Sequence, residues 1–430
     1  MRRKILIICV IFLSAGSAFA QEHAGLLEKY REMALSYNHD LKAAEKNISA
    51  SIELERAARA GRLPKISGGA DFKYTGNPIA LSLELPALGN PVTFEGSSMQ
   101  YGASLSLLQP VYTGEHILES IKLAGYQRSF AVNQSEMFRS VVCYQTDIQY
   151  WNTVARQEIV KVAAEYRNSI ASLAKTITER VEAGFADPQD RLMAEVKLNE
   201  AEYRLLQAES EFETGRMALN SLIGEELQTE SEIEETIPKV ILPENLLEQG
   251  EKIRPEIKMA QDQVKIAESR SRLADAKYKP QFYIGADGSY SSPGYNFRPD
   301  MDPNYVVYAK LSVPLFEWGK RRNEKKASSY KTGMAKDNLD KIMDNVDLEV
   351  RTAAVSLIQA VERVNLTESS LNKACENERK ALERYSEGKI SVVEVIEAQT
   401  YRQTTQLNNV QARVSAQGYY SQLIKALNLY

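Results

Sequence analysis

Cysteine, histidine and tryptophan are scarce in this chain. Its 430 residues include three Cys, three His and two Trp. The thiols Cys9, Cys143 and Cys375 give no disulfide framework for so long a chain, and Cys143 and Cys375 read as free thiols packed on helices. His23, His39 and His116 lie far apart, and no HExxH, P-loop, GxSxG or paired-cysteine zinc spacing occurs. No catalytic residue, metal site or cofactor is therefore expected. Excess positive charge is also missing. The formal net charge of −4 argues against nucleic acid as a partner. Beyond residue 20 there is no run of about 18 apolar residues, so no transmembrane helix is expected. Proline is absent from 115–183 and from 319–387, two stretches of 69 residues each. At the start of the chain, Arg2, Arg3 and Lys4 precede the apolar run Ile5 to Leu13. Ala18-Phe19-Ala20 fits a cleavage site before Gln21, so residues 1–20 read as a secretory signal peptide.

The chain resembles itself. At a shift of 216, Lys42, Ala44, Arg56, Ala58, Ala60 and Pro64 fall on Lys258, Ala260, Arg272, Ala274, Ala276 and Pro280. Gly69-Ala70-Asp71 falls on Gly285-Ala286-Asp287, and Tyr74 on Tyr290. From Pro110 and Pro314 onward the shift is 204, and it aligns Glu179-Arg180 with Glu383-Arg384 and Gly184 with Gly388. The difference is absorbed by 75–100 against the shorter 291–304, both rich in loop residues. Two structural repeats are expected, 21–224 and 254–430, joined by a connection over 225–253 that contains Pro238 and Pro243.

Each repeat reads helix, strand, loop, strand, very long helix, turn, helix. Ile66, Gly68, Ala70, Phe72 and Tyr74 alternate with Lys65, Ser67, Gly69, Asp71 and Lys73. The same period of two runs through 101–112, 281–290 and 305–314, and it predicts four strands. Such strands fit a membrane barrel, and equally a half-buried sheet in a soluble protein. The export signal and the flanking helices favour the barrel. The proline-free segments predict long helices over 115–183 and 319–387, each about 100 Å if continuous. Ile159, Val162, Tyr166, Ile170, Leu173, Ile177 and Val181 mark the buried stripe of the first. Segments 24–60, 188–223, 255–279 and 392–428 are predicted as the shorter helices that pack beside them. Trp151, Trp318, Tyr419 and Tyr420 read as packing or interface aromatics.

Doubled organisation, Pro-Val-Tyr-Thr-Gly at 110–114, Pro-Leu-Phe-Glu-Trp-Gly at 314–319, and the tips Glu-Arg-Val-Glu-Ala-Gly at 179–184 and Glu-Arg-Tyr-Ser-Glu-Gly at 383–388 resemble the TolC family of outer-membrane efflux proteins. The resemblance covers nearly all of the chain after residue 20. It implies an α+β membrane protein: a homotrimer whose protomers each give four strands to one outer-membrane β-barrel, continued by a long periplasmic α-helical barrel. It further implies an efflux duct in outer-membrane lipid, working with a periplasmic adaptor (membrane-fusion) protein and an inner-membrane pump. Type I protein secretion and a structural coiled-coil protein of the envelope are the alternatives. Physics supplies part of this unaided. Single-chain barrels begin at about eight strands, and an open edge in lipid leaves backbone groups unpaired, so a chain with four strands must oligomerise to close one.

The resemblance also assigns residues at the tips. Glu394 and Glu397 match an acidic pair that rings the periplasmic entrance, where the family commonly has aspartate. Gln189, Asp190 and Tyr385 match polar links that hold the entrance closed, and Ile390 stands where one such link uses arginine. Gly184, Phe185, Ala186, Gly388, Lys389 and Ile390 are candidate adaptor contacts. From the residues alone, Asp187-Pro188 predicts a helix N-cap followed by proline at the first helical position, and Ser391 with Glu394 a capping box. Asp190 and Glu394 therefore fit a local capping role as well as a gating one. Glu397 lies beyond the box.

Overall fold

The computed structural model describes residues 25–83, 92–241, 254–294 and 300–430. The expected signal peptide, and residues 242–253 of the expected connection, lie outside them. Among the described residues the helices are α1 (Leu26–Tyr37), α2 (His39–Ala60), α3 (His116–Glu182), α4 (Pro188–Ile223), α5 (Pro255–Ala276), α6 (Lys320–Ser386) and α7 (Val392–Ala426). The strands are β1 (Lys65–Tyr74), β2 (Ala80–Leu83), β3 (Val92–Glu95), β4 (Met99–Tyr112), β5 (Gln281–Ser292) and β6 (Asp302–Ser312). Both proline-free segments are single helices of 67 residues. No described helix is long and apolar enough to cross a membrane.

Two elements differ from the sequence reading. Segment 24–60 is broken at Asn38, whose backbone is extended (ψ 124°) and whose side-chain oxygen accepts from the Leu41 N–H at 2.9 Å. An asparagine that can cap the next helix ends the one before it. Segment 75–100 is more than loop, because β2 and β3 pair in antiparallel register from Ala80↔Glu95 to Leu83↔Val92.

The chain divides into two compact units. The first comprises the described residues up to Lys46, Asn133–Lys258 and Lys341–Tyr430. Its largest core gathers Tyr30 and Ala34 of α1, Tyr150, Trp151 and Val154 of α3, Leu219 and Ile223 of α4, and Val410 and Val414 of α7. Beside this core, Arg31 donates through Nε and Nη2 to Asp147 at 2.7 and 2.8 Å, and the Tyr430 hydroxyl donates to the same carboxylate at 2.7 Å. Burial pushes the Arg31 guanidinium down, the bonds to Asp147 push it further up, and it stays charged. The stripe on α3 is buried from Val162 to Ile177. Cys143 and Cys375 are free, as expected. Burial pushes the Cys143 thiol up to about 11, which keeps it inert.

The second unit, Asn47–Val132 and Met259–Asp340, contains the sheet. Its four strands are ordered β1-β4-β5-β6, all neighbours antiparallel. Proline is tolerated where the ladder does not need its N–H. Pro110 of central β4 lies at a register shift before Tyr112, and Pro303 lies on edge strand β6. The register Gly68↔Leu105↔Gly288↔Tyr305 defines one face, and Ser67↔Ser106↔Asp287↔Val306 the other. The first face carries Ile66, Phe72, Leu105, Tyr290, Tyr305, Val307 and Leu311, all exposed. The second carries mainly Ser, Gly, Asp and Lys, and there the Ser106 hydroxyl donates to the Asp287 carboxylate. The two faces thus differ in polarity, one apolar and one polar. Every residue of edge strand β1 is exposed, so β1 and β6 leave the sheet open on both sides.

Candidate functional site at the helix hairpin tips

Two chain reversals in the first unit carry the residues expected to act. After α3, the Gly184 N–H donates to the Val181 carbonyl (3.0 Å) and the Phe185 N–H to that of Arg180 (2.8 Å). After α6, Gly388 and Lys389 donate likewise to Tyr385 (2.9 Å) and Arg384 (2.8 Å). Both are Schellman turns. They place Gly184 at φ +76° and Gly388 at φ +75°, where a side chain would be strained.

The helices that follow start differently. Asp187 accepts from the Gln189 N–H at 2.8 Å, with Pro188 as the first residue of α4. At α7 a complete capping box forms, in which the Glu394 carboxylate accepts from the Ser391 N–H (2.8 Å) and hydroxyl (2.9 Å). These two bonds hold the Glu394 carboxyl below the usual range, and the charge of Arg384 adds to the effect. The cap is therefore complete above the ordinary carboxylate pKa and is lost as pH falls through the lower folded value. Asp190 stands at the equivalent position of α4, yet among the described residues its carboxylate has no hydrogen bond or ion pair. Its side chain is one methylene too short to reach back as Glu394 does. Glu394 is locally committed, and Asp190 is free.

Between the reversals lies a small core of Leu173, Ala174 and Ile177 from α3, Ala194 from α4, Tyr385 from α6, and Val392, Val395 and Ile396 from α7. The Tyr385 ring is buried there, while its hydroxyl has no partner among the described residues. Arg180 completes the junction. Its guanidinium lies 4.6 Å from the Tyr385 ring centre and donates to the carbonyls of Tyr385 (3.3 Å) and Ser386 (3.1 Å). It thus satisfies the open end of α6 from across the core. The sequence reading recorded Arg180 only as part of a tip motif, since a bond spanning 205 positions leaves no local signal.

Glu397 is exposed, in an open groove with Lys380, Arg384, Glu394 and Tyr401, and among the described residues its carboxylate has no ion pair. The acidic pair therefore has cations beside it and reaches the groove with one uncommitted carboxylate. Of the candidate contact residues, Phe185 is 83% exposed. Gly184 and Gly388 are exposed and Ala186 half-buried. Lys389 pairs with Glu387 at 2.6 Å, and Ile390 packs against the tip core. Gln189 is exposed. Trp151 is buried, but Trp318 is 89% exposed and its ring meets only the edge of Phe316 among the aromatic rings described. Among the described residues no group of three His, Cys, Asp or Glu side chains could hold a metal ion.

The family described as outer membrane efflux protein matches residues 31–225 and 246–429. The chain belongs to that family. As an outer membrane efflux protein it is 21% identical to the outer membrane protein TolC of Escherichia coli (strain K12), over all of this chain and 86% of that one. Its fold is that of the CmeC outer membrane channel of Campylobacter jejuni (TM-score 0.77, 17% identity, 94% of this chain and 85% of that). It is equally that of the outer membrane protein VceC of Vibrio cholerae (TM-score 0.76, 19% identity, 94% and 96%). These homologues are channel proteins rather than enzymes.

Proposed function

We propose that the chain is the exit duct of a tripartite efflux system. Three copies close one barrel in the outer membrane, and their helices surround a periplasmic passage that receives substrate from an inner-membrane pump through an adaptor. The observation that carries this reading is the sheet: four strands, two open edges, one apolar exposed face and one polar face. Such a sheet is too small to close alone and too greasy to leave in water, and pairing of β6 with β1 of the next copy solves both problems. The duct performs no reaction, and cargo choice and energy come from its partners.

At the tips, Asp190, Gln189 and the unpartnered hydroxyl of Tyr385 are the groups available to link neighbouring hairpins and keep the mouth narrow. Arg180 anchors the Tyr385 ring for that task. Phe185, a large apolar side chain held out at the turn between α3 and α4, is the adaptor contact best supported. Glu397, repeated by symmetry, forms the acidic ring, while Glu394 chiefly caps its helix. Carboxylate rings favour cations. Glu397→Ala is accordingly expected to weaken cation preference and block by multivalent cations more than Glu394→Ala, read as reversal potential and block in planar bilayers. Wild-type selectivity in the double variant would place the charge filter elsewhere.

A further inference from the structure

The segment that joins β6 to α6, within the second unit, leaves Leu315, Phe316 and Trp318 exposed at 91, 72 and 89%. Phe316 and Trp318 pack edge to face, 4.9 Å between centres. Trp318 is held at φ +47°, a backbone conformation that bulky residues rarely adopt. Clustered apolar side chains left in the open mark an interaction site. The charge that follows is unbalanced. Glu317, Asp275 and Glu324 are taken by Lys320, Arg321 and Lys277. Arg322, Lys325 and Lys326 are exposed and have no ion pair among the described residues. The first turn of α6 has no acidic residue and contains Arg322, a cation where helix energetics favour the opposite sign. An open hollow lined by Tyr278, Leu315, Phe316, Arg321, Arg322 and Lys325 joins the aromatic and cationic parts.

We propose that this patch binds the phosphodiester headgroups of anionic phospholipids in the leaflet facing the helices. Along the chain the order is membrane strand, aromatic loop, cationic helix, which repeats the order of acyl chain, interface and phosphate in a leaflet. A second copy is the poorer occupant on charge. The strand that closure brings beside β6 is β1, and the exposed residues at its start, Arg62 and Lys65, are also cations without an ion pair among the described residues. They extend the positive belt and do not neutralise it. Arginine forks suit phosphate oxygens, and lysine stems reach past the apolar boundary to the headgroups.

The inference rests on the barrel reading, and the test separates the two. The full chain is reconstituted in phosphatidylethanolamine vesicles that contain, at equal mole fraction, acyl-brominated phosphatidylglycerol or acyl-brominated phosphatidylethanolamine. Quenching of Trp318 is read, with Trp318→Phe giving the background from buried Trp151. Brominated phosphatidylglycerol is expected to quench as if enriched roughly five-fold, the factor that about one such cation supplies near a charged membrane. Arg322→Gln, Lys325→Gln and Lys326→Gln together should equalise the two lipids and leave quenching by phosphatidylethanolamine intact. Equal quenching in the wild type, or a preference that survives the triple change, overturns the lipid site alone. Protection from both lipids and from acrylamide would mean that a second copy covers Trp318 and would also overturn it. Access to acrylamide but to neither lipid would remove the barrel reading itself.

Discussion

Leu105→Arg is expected to destabilise the membrane-inserted oligomer by roughly 2–4 kcal/mol if the position lies near mid-membrane, and Ser106→Arg by much less. Leu105 is 60% exposed and lies between Gly68 and Gly288 in the register. An arginine there has only glycine directly across it on either side and no carboxylate to pair with across the ladder. Ser106 points the other way, where Asp287 sits directly across and can receive a guanidinium. Val307, on the same face as Leu105 and 70% exposed, should behave like it. Yield of inserted oligomer after outer-membrane extraction measures the contrast. Equal losses at positions 105 and 106 would show that the two faces have been assigned to the wrong surroundings.

The second large effect lies in the first unit. Arg31→Ala is expected to cost about 3–5 kcal/mol, because it strands a buried carboxylate. The Asp147 side chain is fully buried, whereas Arg31 keeps 21% of its side-chain surface. The Tyr430 hydroxyl would remain as a partner but carries no charge, and burial together with the Asp147 charge pushes it still further from ionising. Denaturant unfolding followed by Trp151, which shares the adjoining core, reports the loss in a Trp318→Phe background. Adding Asp147→Leu should restore most of the stability, since a packed apolar side chain removes the stranded charge. A loss within about 1 kcal/mol would mean that the pair behaves as a surface ion pair.

What the sequence made legible was local. Gly184 and Gly388 announce helix ends because only glycine is unstrained at that φ, and Asp187-Pro188 and Ser391 with Glu394 announce helix starts. Period-two alternation marked the four long strands and their two unlike faces. The break at Asn38 was hidden because an asparagine within a periodic segment reads as a tolerated helix residue. The hairpin β2–β3 was hidden by the proline and glycine of the stretch that encloses it. At the site, equal spacing made Asp190 and Glu394 look alike, and one methylene of side-chain length separates a free carboxylate from a committed one. Arg180 and the Arg31–Asp147 pair act across 205 and 116 positions, distances over which one sequence carries no signal. Tyr385 was legible as a tip residue, but not as a ring buried beneath an arginine.

The central claim is that this outer membrane efflux protein is an oligomeric duct closed at its helix tips. Single-channel recording in planar bilayers tests it most directly, comparing wild type with Tyr385→Phe combined with Asp190→Ala. The phenylalanine preserves the packed ring and removes only the unpartnered hydroxyl, so folding is spared. Discrete cation-favouring openings of small conductance are expected for the wild type, and larger ones for the double variant, from trimers that remain intact and dissociate only on heating. Intact inserted trimers that pass no current in either protein would contradict the duct.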